Sequence, residues 1–227
     1  RVGLAGRVFD GSLEDGDLLA SSGVGARPAP GSPLDWLVVN AAVNSTATLE
    51  EKGGKLVTVG NSTEGSLLHW LRGGAWFRAD DGLGHGPLRA RYPVRFQLHF
   101  SSERKRMTSV VEDARGRLSA LVKGAPEAVL ARCRTYLARD RTAHELTPAV
   151  RAELQAQISA AAGDAMRTLA FAHAELPADF PRDADAIHGR LAELEGGLVF
   201  DGWVGIRDPL RGDVKDAVAE CRAAGIE

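Results

Sequence analysis

Apolar residues recur along this chain with two periods, and the switches between them mark out its elements. From Ser32-Pro33, the residues Leu34, Leu37, Val38, Ala41 and Ala42 return every three or four positions. That is one face of a helix with Ser as N-cap and Pro in its first turn. Residues 55–59 read as a short strand, and Gly60-Asn61-Ser62-Thr63-Glu64-Gly65 turns into a second helix carrying Leu67, Leu68 and Leu71. Glu64 falls in a first helical turn, where free amide groups favour a carboxylate. Over 91–100 the period becomes two. Val94, Phe96, Leu98 and Phe100 alternate with Arg95, Gln97 and His99, which predicts a half-buried strand with Phe100 on its apolar side or open edge. Strands over 107–112 and 117–123 flank Asp113-Ala114-Arg115-Gly116, a hairpin that predicts antiparallel pairing rather than βαβ winding.

A helix is predicted from Pro126 to about Tyr136, and another from Thr147-Pro148 with Val150, Leu154 and Ile158 on one face. Strands follow over 167–174 and 198–206, separated by a loop with Pro177 and Pro181 and a short charged helix. Asp208-Pro209 caps a last helix with Val214, Val218 and Cys221 on one face and Gly225 as its stop. Residues 1–33 hold Gly and Pro punctuation around few apolar positions, so an extended lead-in and a loop are expected there.

At 227 residues and 44% apolar content, the chain is long enough to bury a core. Its net charge of −2, from 28 basic and 30 acidic residues, provides no global field for nucleic acid or an anionic membrane. Any anion site must therefore be local. Cys133 and Cys221 form no CxxC pair, and no His spacing completes a zinc set, so neither a disulfide framework nor a structural metal is expected and a reducing setting fits. No apolar run approaches the roughly 18 residues of a membrane span, so the chain is expected to be soluble, and the opening on Arg1 suggests an excised piece. A G-x-x-x-x-G-K-[ST] loop is absent, and Gly82-Leu83-Gly84-His85-Gly86 lacks the third-glycine spacing of a dinucleotide fingerprint.

The chemistry gathers in two stretches, Phe100-Ser101-Ser102-Glu103-Arg104-Lys105-Arg106-Met107 and Lys123-Gly124-Ala125-Pro126-Glu127, which read as two walls of one ATP pocket. A flat ring and a flexible thioether can sandwich adenine, and lysine supplies a point charge for phosphate. Phe100 and Lys123 are expected at the pocket mouth. Taken singly, each residue has a plainer role: Phe100 a core aromatic, Met107 a core filler, Arg104 and Lys105 a solvated turn, Glu64 a helix charge, Arg167 a surface arginine. The six histidines are scattered and are assigned to surface or core.

The order of Val59-Gly60-Asn61-Ser62-Thr63-Glu64-Gly65, the Phe100 to Met107 stretch, the Lys123 stretch, Met166-Arg167-Thr168-Leu169-Ala170 and Asp208-Pro209-Leu210-Arg211 resembles the nucleotide-binding (N) domain of P-type cation-transporting ATPases, on the calcium-pump-like branch. The likeness starts near residue 36. It implies an α+β fold, an antiparallel β-sheet flanked by helices, with a C-terminal strip of the HAD-like phosphorylation domain. The implied divisions are a lead-in over 1–35, the nucleotide-binding domain over 36–206, and a hinge with a partial phosphorylation-domain segment over 207–227. The implied ATP-binding set is Glu64 at the adenine edge, Phe100 stacking on the base, Lys105, Met107, Lys123, Gly124, Ala125 and Leu169 lining the pocket, and Arg167 reaching the phosphates. Asp208 and Arg211 would lie on the hinge and phosphate side.

The implied cofactors are ATP and Mg2+, and the implied partners are the phosphorylation and actuator domains of the same polypeptide, with no nucleic acid. The membrane would be reached only through helices outside this sequence, at whose cytoplasmic face the domain would sit, the fragment itself being monomeric. The phosphorylated aspartate of the family's Asp-Lys-Thr-Gly-Thr motif is not in the sequence. No catalytic residue and no metal ligand is therefore assigned, and binding of ATP without turnover is expected. Ser102 stands where some calcium pumps carry arginine, and Leu210 where the family has a second proline. The alternatives are a non-catalytic nucleotide-sensing or protein-interaction domain that retains the fold, and a free-standing hydrolase. The second lacks a visible cluster of nucleophile, base and orienting group.

Overall fold

The structure is a computed structural model that describes residues 1–9, 18, 28–73, 85–207 and 214–225, apart from the side chains at 215–217. Residues 20–27 of the loop expected up to residue 33, the glycines at 82 and 84, and the Asp208 to Arg211 cap and hinge lie outside the described residues. The segment expected to be only a lead-in supplies two strands, β1 (Val2–Leu4) and β2 (Arg7–Phe9), with Val2, Leu4 and Phe9 in the core. Helix α1 (Pro33–Val43) starts where the sequence places it, with the Ser32 hydroxyl accepting from the Asp35 amide. A hairpin the sequence reading half missed follows: β3 (Thr48–Lys52) turns through Gly53 and Gly54, both at positive φ, into β4 (Lys55–Val59). Next come α2 (Ser62–Gly73), α3 (His85–Arg91) and β5 (Val94–Leu98).

The strand predicted over 91–100 is therefore shorter at both ends. Tyr92 still donates to the Leu88 carbonyl as the helix closes, Pro93 breaks the run, and Phe100 lies in the turn beyond β5. The central hairpin of β6 (Arg106–Glu112) and β7 (Leu118–Gly124) forms as expected. The helix predicted from Pro126 to about Tyr136 stops early, as α4 (Pro126–Leu130). The chain then becomes β8 (Cys133–Leu137) and β9 (Ala143–Glu145). The reason is tertiary: β8 runs parallel to a later strand, with Cys133 opposite Leu198, and those ladder bonds replace another helical turn. Then follow α5 (Pro148–Gly163), β10 (Arg167–Glu175), α6 (Ala184–Gly189), α7 (Leu191–Leu194), β11 (Leu198–Ile206) and α8 (Val214–Ala223). In α8, Val214 and Val218 remain exposed.

Among the described residues the main sheet has the order β2-β1-β11-β10-β7-β6-β5, with β8 and β9 branching from β11. Every pair in it is antiparallel except β8 with β11. Both faces are covered, so the fold is the expected α+β arrangement. One face packs Leu121 and Phe171 against Leu37, Leu68 and Leu88 of α1 to α3. The other packs Val122, Phe200 and Trp203 against Leu130, Leu154 and Ile158, and Val110 and Ala120 against Phe180, Ile187 and Leu194. Each fully buried Leu or Phe contributes roughly 1.5–3 kcal/mol relative to exposure. Polar bolts set the position of α1 over the sheet. Asn40 Nδ2 donates to the carbonyls of Val122 and Ala172, both at 3.1 Å, and Asn44 Oδ1 accepts from Ser109 Oγ at 2.7 Å.

Candidate functional site

At one edge of the sheet β6 begins, β7 ends and β10 begins, with Gly124 in register between Arg106 and Ala170. On the α1 face this edge encloses a cavity of about 530 Å³. Glu64, Phe100, Met107, Lys123, Arg167 and Leu169 line it, with Gly124 and Ala125 along its wall. The structure thus brings these sequence-predicted residues to one place. Lys105 is the exception: its side chain is more than half exposed and its ammonium pairs with Glu127 at 3.3 Å. Thr46, Asn61, Thr63, His99 and Thr168 also line the cavity and were not singled out from the sequence. Asp208 and Arg211 lie outside the described residues.

The carboxylate at the cavity floor is placed by a helix start. Asn61 Oδ1 accepts from the amides of Thr63 and Glu64 at 2.9 and 3.2 Å, which caps α2 and turns Glu64 inward. Glu64 Oε2 accepts from Thr46 N, Thr46 Oγ1 and Ala47 N at 2.8, 2.8 and 3.2 Å. Its Oε1 lies 2.7 Å from Lys123 Nζ. Burial by itself would raise the Glu64 pKa, but the Lys123 charge and the donors at Thr46 outweigh it and hold the carboxyl below the usual glutamate value.

Lys123 is 3% exposed, so it belongs to the floor and not to the mouth where the sequence reading put it. The two-residue period of β7 turns it inward beside Leu121 on the helix-covered face, and strands on both sides seal it. Burial pushes its pKa down, with Glu64 opposing. The contact between the two is a close, buried ion pair, and among the described residues Glu64 is the one carboxylate paired with this ammonium.

The walls follow from backbone shape. A Cβ on Gly124 would sit 2.3 Å from the Lys105 carbonyl oxygen and 2.6 Å from Arg106 Cα, so only glycine lets β6 and β7 close at this point. Lys105, at φ +53, aims that carbonyl at the Ala125 amide, 2.9 Å away, and so sends its own side chain outward. Met107 is buried while Phe100 stays 59% exposed, a ring held over the opening. Arg167 stands at the rim and donates from Nη1 to Thr63 Oγ1 at 2.7 Å. An exposed ring above the apolar Met107 and Leu169, an ammonium at the floor and a guanidinium at the rim together suit a flat base with an anionic tail.

A larger cavity, about 1050 Å³, opens at the far end of the sheet. Its charges are mixed, Arg91, Arg115, Arg117 and Arg141 against Asp35, Asp113 and Glu175, and its wall at Pro28 adjoins residues outside the described set. The smaller cavity, with one buried cation and an open aromatic, is the better-defined binding site.

A family model described as "P-type ATPase, cytoplasmic domain N" matches residues 34–213. The chain is similar to the calcium-transporting ATPase of Bacillus subtilis, 31% identical over 196 residues that make up 86% of this chain and 20% of that protein. It is also similar to the calcium-transporting ATPase PAT1 of Dictyostelium discoideum, 35% identical over 206 residues, 88% of this chain and 17% of that one. Plasma membrane calcium-transporting ATPase 1 of Oryctolagus cuniculus is 32% identical over 207 residues, 88% of this chain and 16% of its own length. The chain therefore spans a fifth or less of the length of these relatives.

Proposed function

The chain belongs to the cytoplasmic N domains of P-type ATPases, on the branch that includes calcium pumps, and from that premise we propose that it binds ATP in the cavity under Phe100. The observation that carries the proposal is an aromatic ring left 59% exposed over a cavity whose floor holds a buried lysine. Adenine stacks on Phe100 above Met107 and Leu169, an interaction on the scale of roughly 1–3 kcal/mol per base. Glu64 Oε2 already accepts three hydrogen bonds, so it meets the base only through Oε1, the atom it shares with Lys123. Gly124 and Ala125 let the ligand approach the backbone, and Arg167 takes the phosphates. Lys105 would have to leave Glu127 to join them.

Mg2+ would arrive with the phosphates and neutralise their charge. Among the described residues no group of three or more His, Cys, Asp or Glu side chains is arranged to hold a metal on its own. The domain would present the γ-phosphate to an aspartate in another part of a longer polypeptide, at the cytoplasmic face of a membrane. Closure onto the phosphorylation domain about a hinge at Asp208 and Arg211 would couple that step to cation transport, with calcium as the cation by relation to the similar pumps. Among the described residues no helix is long and apolar enough to cross a membrane.

Titration of the chain with ATP, AMP and GTP, followed by NMR or calorimetry with phosphate release in parallel, tests this. The expected result is weak, adenine-selective binding that shifts resonances of Phe100, Lys123 and Leu169, without release. No binding would overturn it in favour of an interaction module, and release would reveal a nucleophile within the chain.

A further inference from the structure

The turn that carries Phe100 is held from the face of the sheet opposite the cavity. Side chains alternate along β6, so Met107 faces the cavity and Ser109 meets Asn44 at the C-terminal cap of α1, while Arg106, Thr108 and Val110 face the layer of α6 and α7. In that layer Leu194 is fully buried, and the residue after it, Glu195, is only 4% exposed. Glu195 Oε1 accepts from Thr108 Oγ1 at 2.5 Å and from Arg104 Nη2, and Oε2 accepts from Arg106 Nε at 2.9 Å and from Arg106 Nη2. The Arg104 guanidinium reaches back to the carbonyls of His99 and Arg106 at 3.3 and 3.4 Å, and Arg106 Nη1 donates to the Arg104 carbonyl at 2.9 Å. One carboxylate thus laces both ends of the turn 99–106 together. Phe100 is the residue next to His99.

We propose that Glu195 is a positioning residue for nucleotide binding: it clamps Arg104 and Arg106 and so fixes the turn that holds Phe100 over the cavity. The nucleotide half of this rests on the ATP assignment above. The mechanical half does not. Phe100, largely exposed, has little packing of its own to hold it, and Lys105 keeps the turn in a left-handed conformation that is uphill for a lysine. Without the carboxylate, two neighbouring guanidiniums would be left unpaired at a buried face. They would relieve that by swinging into water and taking the turn with them.

Glu195→Gln keeps the shape of the clamp and removes its charge, and Thr108→Val removes one donor to Glu195 and one acceptor of Arg104 while leaving both arginines paired with the carboxylate. Three readouts decide the matter: heteronuclear NOEs of amides 99–106 in the ligand-free chain, ATP affinity, and the affinity of the Phe100→Ala/Glu195→Gln double variant. In Glu195→Gln the turn amides should loosen and ATP affinity should fall by about 3- to 10-fold, part of the value of a stacked base. If Glu195 acts through Phe100, the double variant binds no more weakly than Phe100→Ala alone. Unchanged NOEs overturn the proposal, and so does an affinity loss that persists in the Phe100→Ala background. If the parent chain binds no ATP, the proposed function falls, and the NOEs alone decide the clamp: a rigid turn in Glu195→Gln overturns it and a loosened one upholds it. Should Glu195→Gln fail to fold, Thr108→Val should loosen the same amides to a smaller degree, and no change there overturns the proposal.

Discussion

Glu64 and Glu195 are both nearly buried, and both are held below the usual glutamate pKa against the pull of burial, yet they stand on opposite faces of the sheet. Glu64 shares the cavity with the single lysine it pairs with, and its remaining hydrogen bonds come from the stretch at Thr46 and Ala47. Glu195 lies away from the cavity and is paired with two arginines of the turn that forms its rim. The same chemical group, similarly buried, builds the floor of the site in one place and its geometry in the other. What separates them is the partner. A lysine is a compact point charge on a single carboxylate oxygen that also lines the cavity, while forked guanidiniums bind both carboxylate oxygens from the turn itself and act as struts.

The comparison can be broken most forcefully at Glu195. Glu195→Leu strands two guanidiniums and should cost about 3–5 kcal/mol, the scale for breaking a buried pair by removing one partner; urea unfolding measures it. Lys123→Met should cost less, about 2–3 kcal/mol, because the donors at Thr46 and Ala47 still satisfy the Glu64 oxygen they face. It should also abolish detectable nucleotide binding. If the two losses came out in the reverse order, the division between floor and strut would fail.

Acid sharpens the same contrast. Both carboxyls have folded-state pKa values below the unfolded one, so the stability they contribute is complete above about pH 4.3 and is lost as pH falls through their folded values. Asp201, buried beside His173, has a raised pKa and acts in the opposite sense, its penalty relieved by protonation. Denaturation midpoints followed downward in pH from neutral should therefore decline in acid, and less steeply in Glu195→Gln than in the parent.

Phe100→Ala should lower adenine affinity by about 1–3 kcal/mol while changing stability by no more than about 0.5 kcal/mol, as expected for an exposed ring; titration and unfolding of one sample read both. The smallest effect belongs to Lys105→Ala, which should leave the unfolding midpoint where it is, because its pair with Glu127 is solvent-exposed on both sides.

Much of the site was visible before any coordinates. The turn into α2 that carries Glu64, the Phe100 ring, Met107 and Gly124 all lie in short stretches whose chemistry is local. Lys123 was recognised but misjudged. A lysine near a strand end is ordinarily exposed, and its burial depends on Glu64, 59 positions away in the numbering. Glu195 left no trace, being one acid in a charged segment with partners 87 to 91 positions distant. The motifs placed the family, yet they passed over Thr46 and His99 on the cavity wall, because neither lies in a stretch with a motif of its own.

The sequence by itself determined the helices with caps and apolar stripes, the central hairpin and the stretches that line the cavity, since periodicity, turn residues and first-turn prolines act over a few positions. Only the tertiary structure decided that the segment after Leu130 leaves its helix to pair with β11, that the first nine residues enter the sheet, that Lys123 sinks to the floor, and that Glu195 ties the Phe100 turn from behind. Each of these depends on a distant partner that supplies hydrogen bonds or countercharge, and local propensity, worth less than about 1 kcal/mol per residue, yields to it.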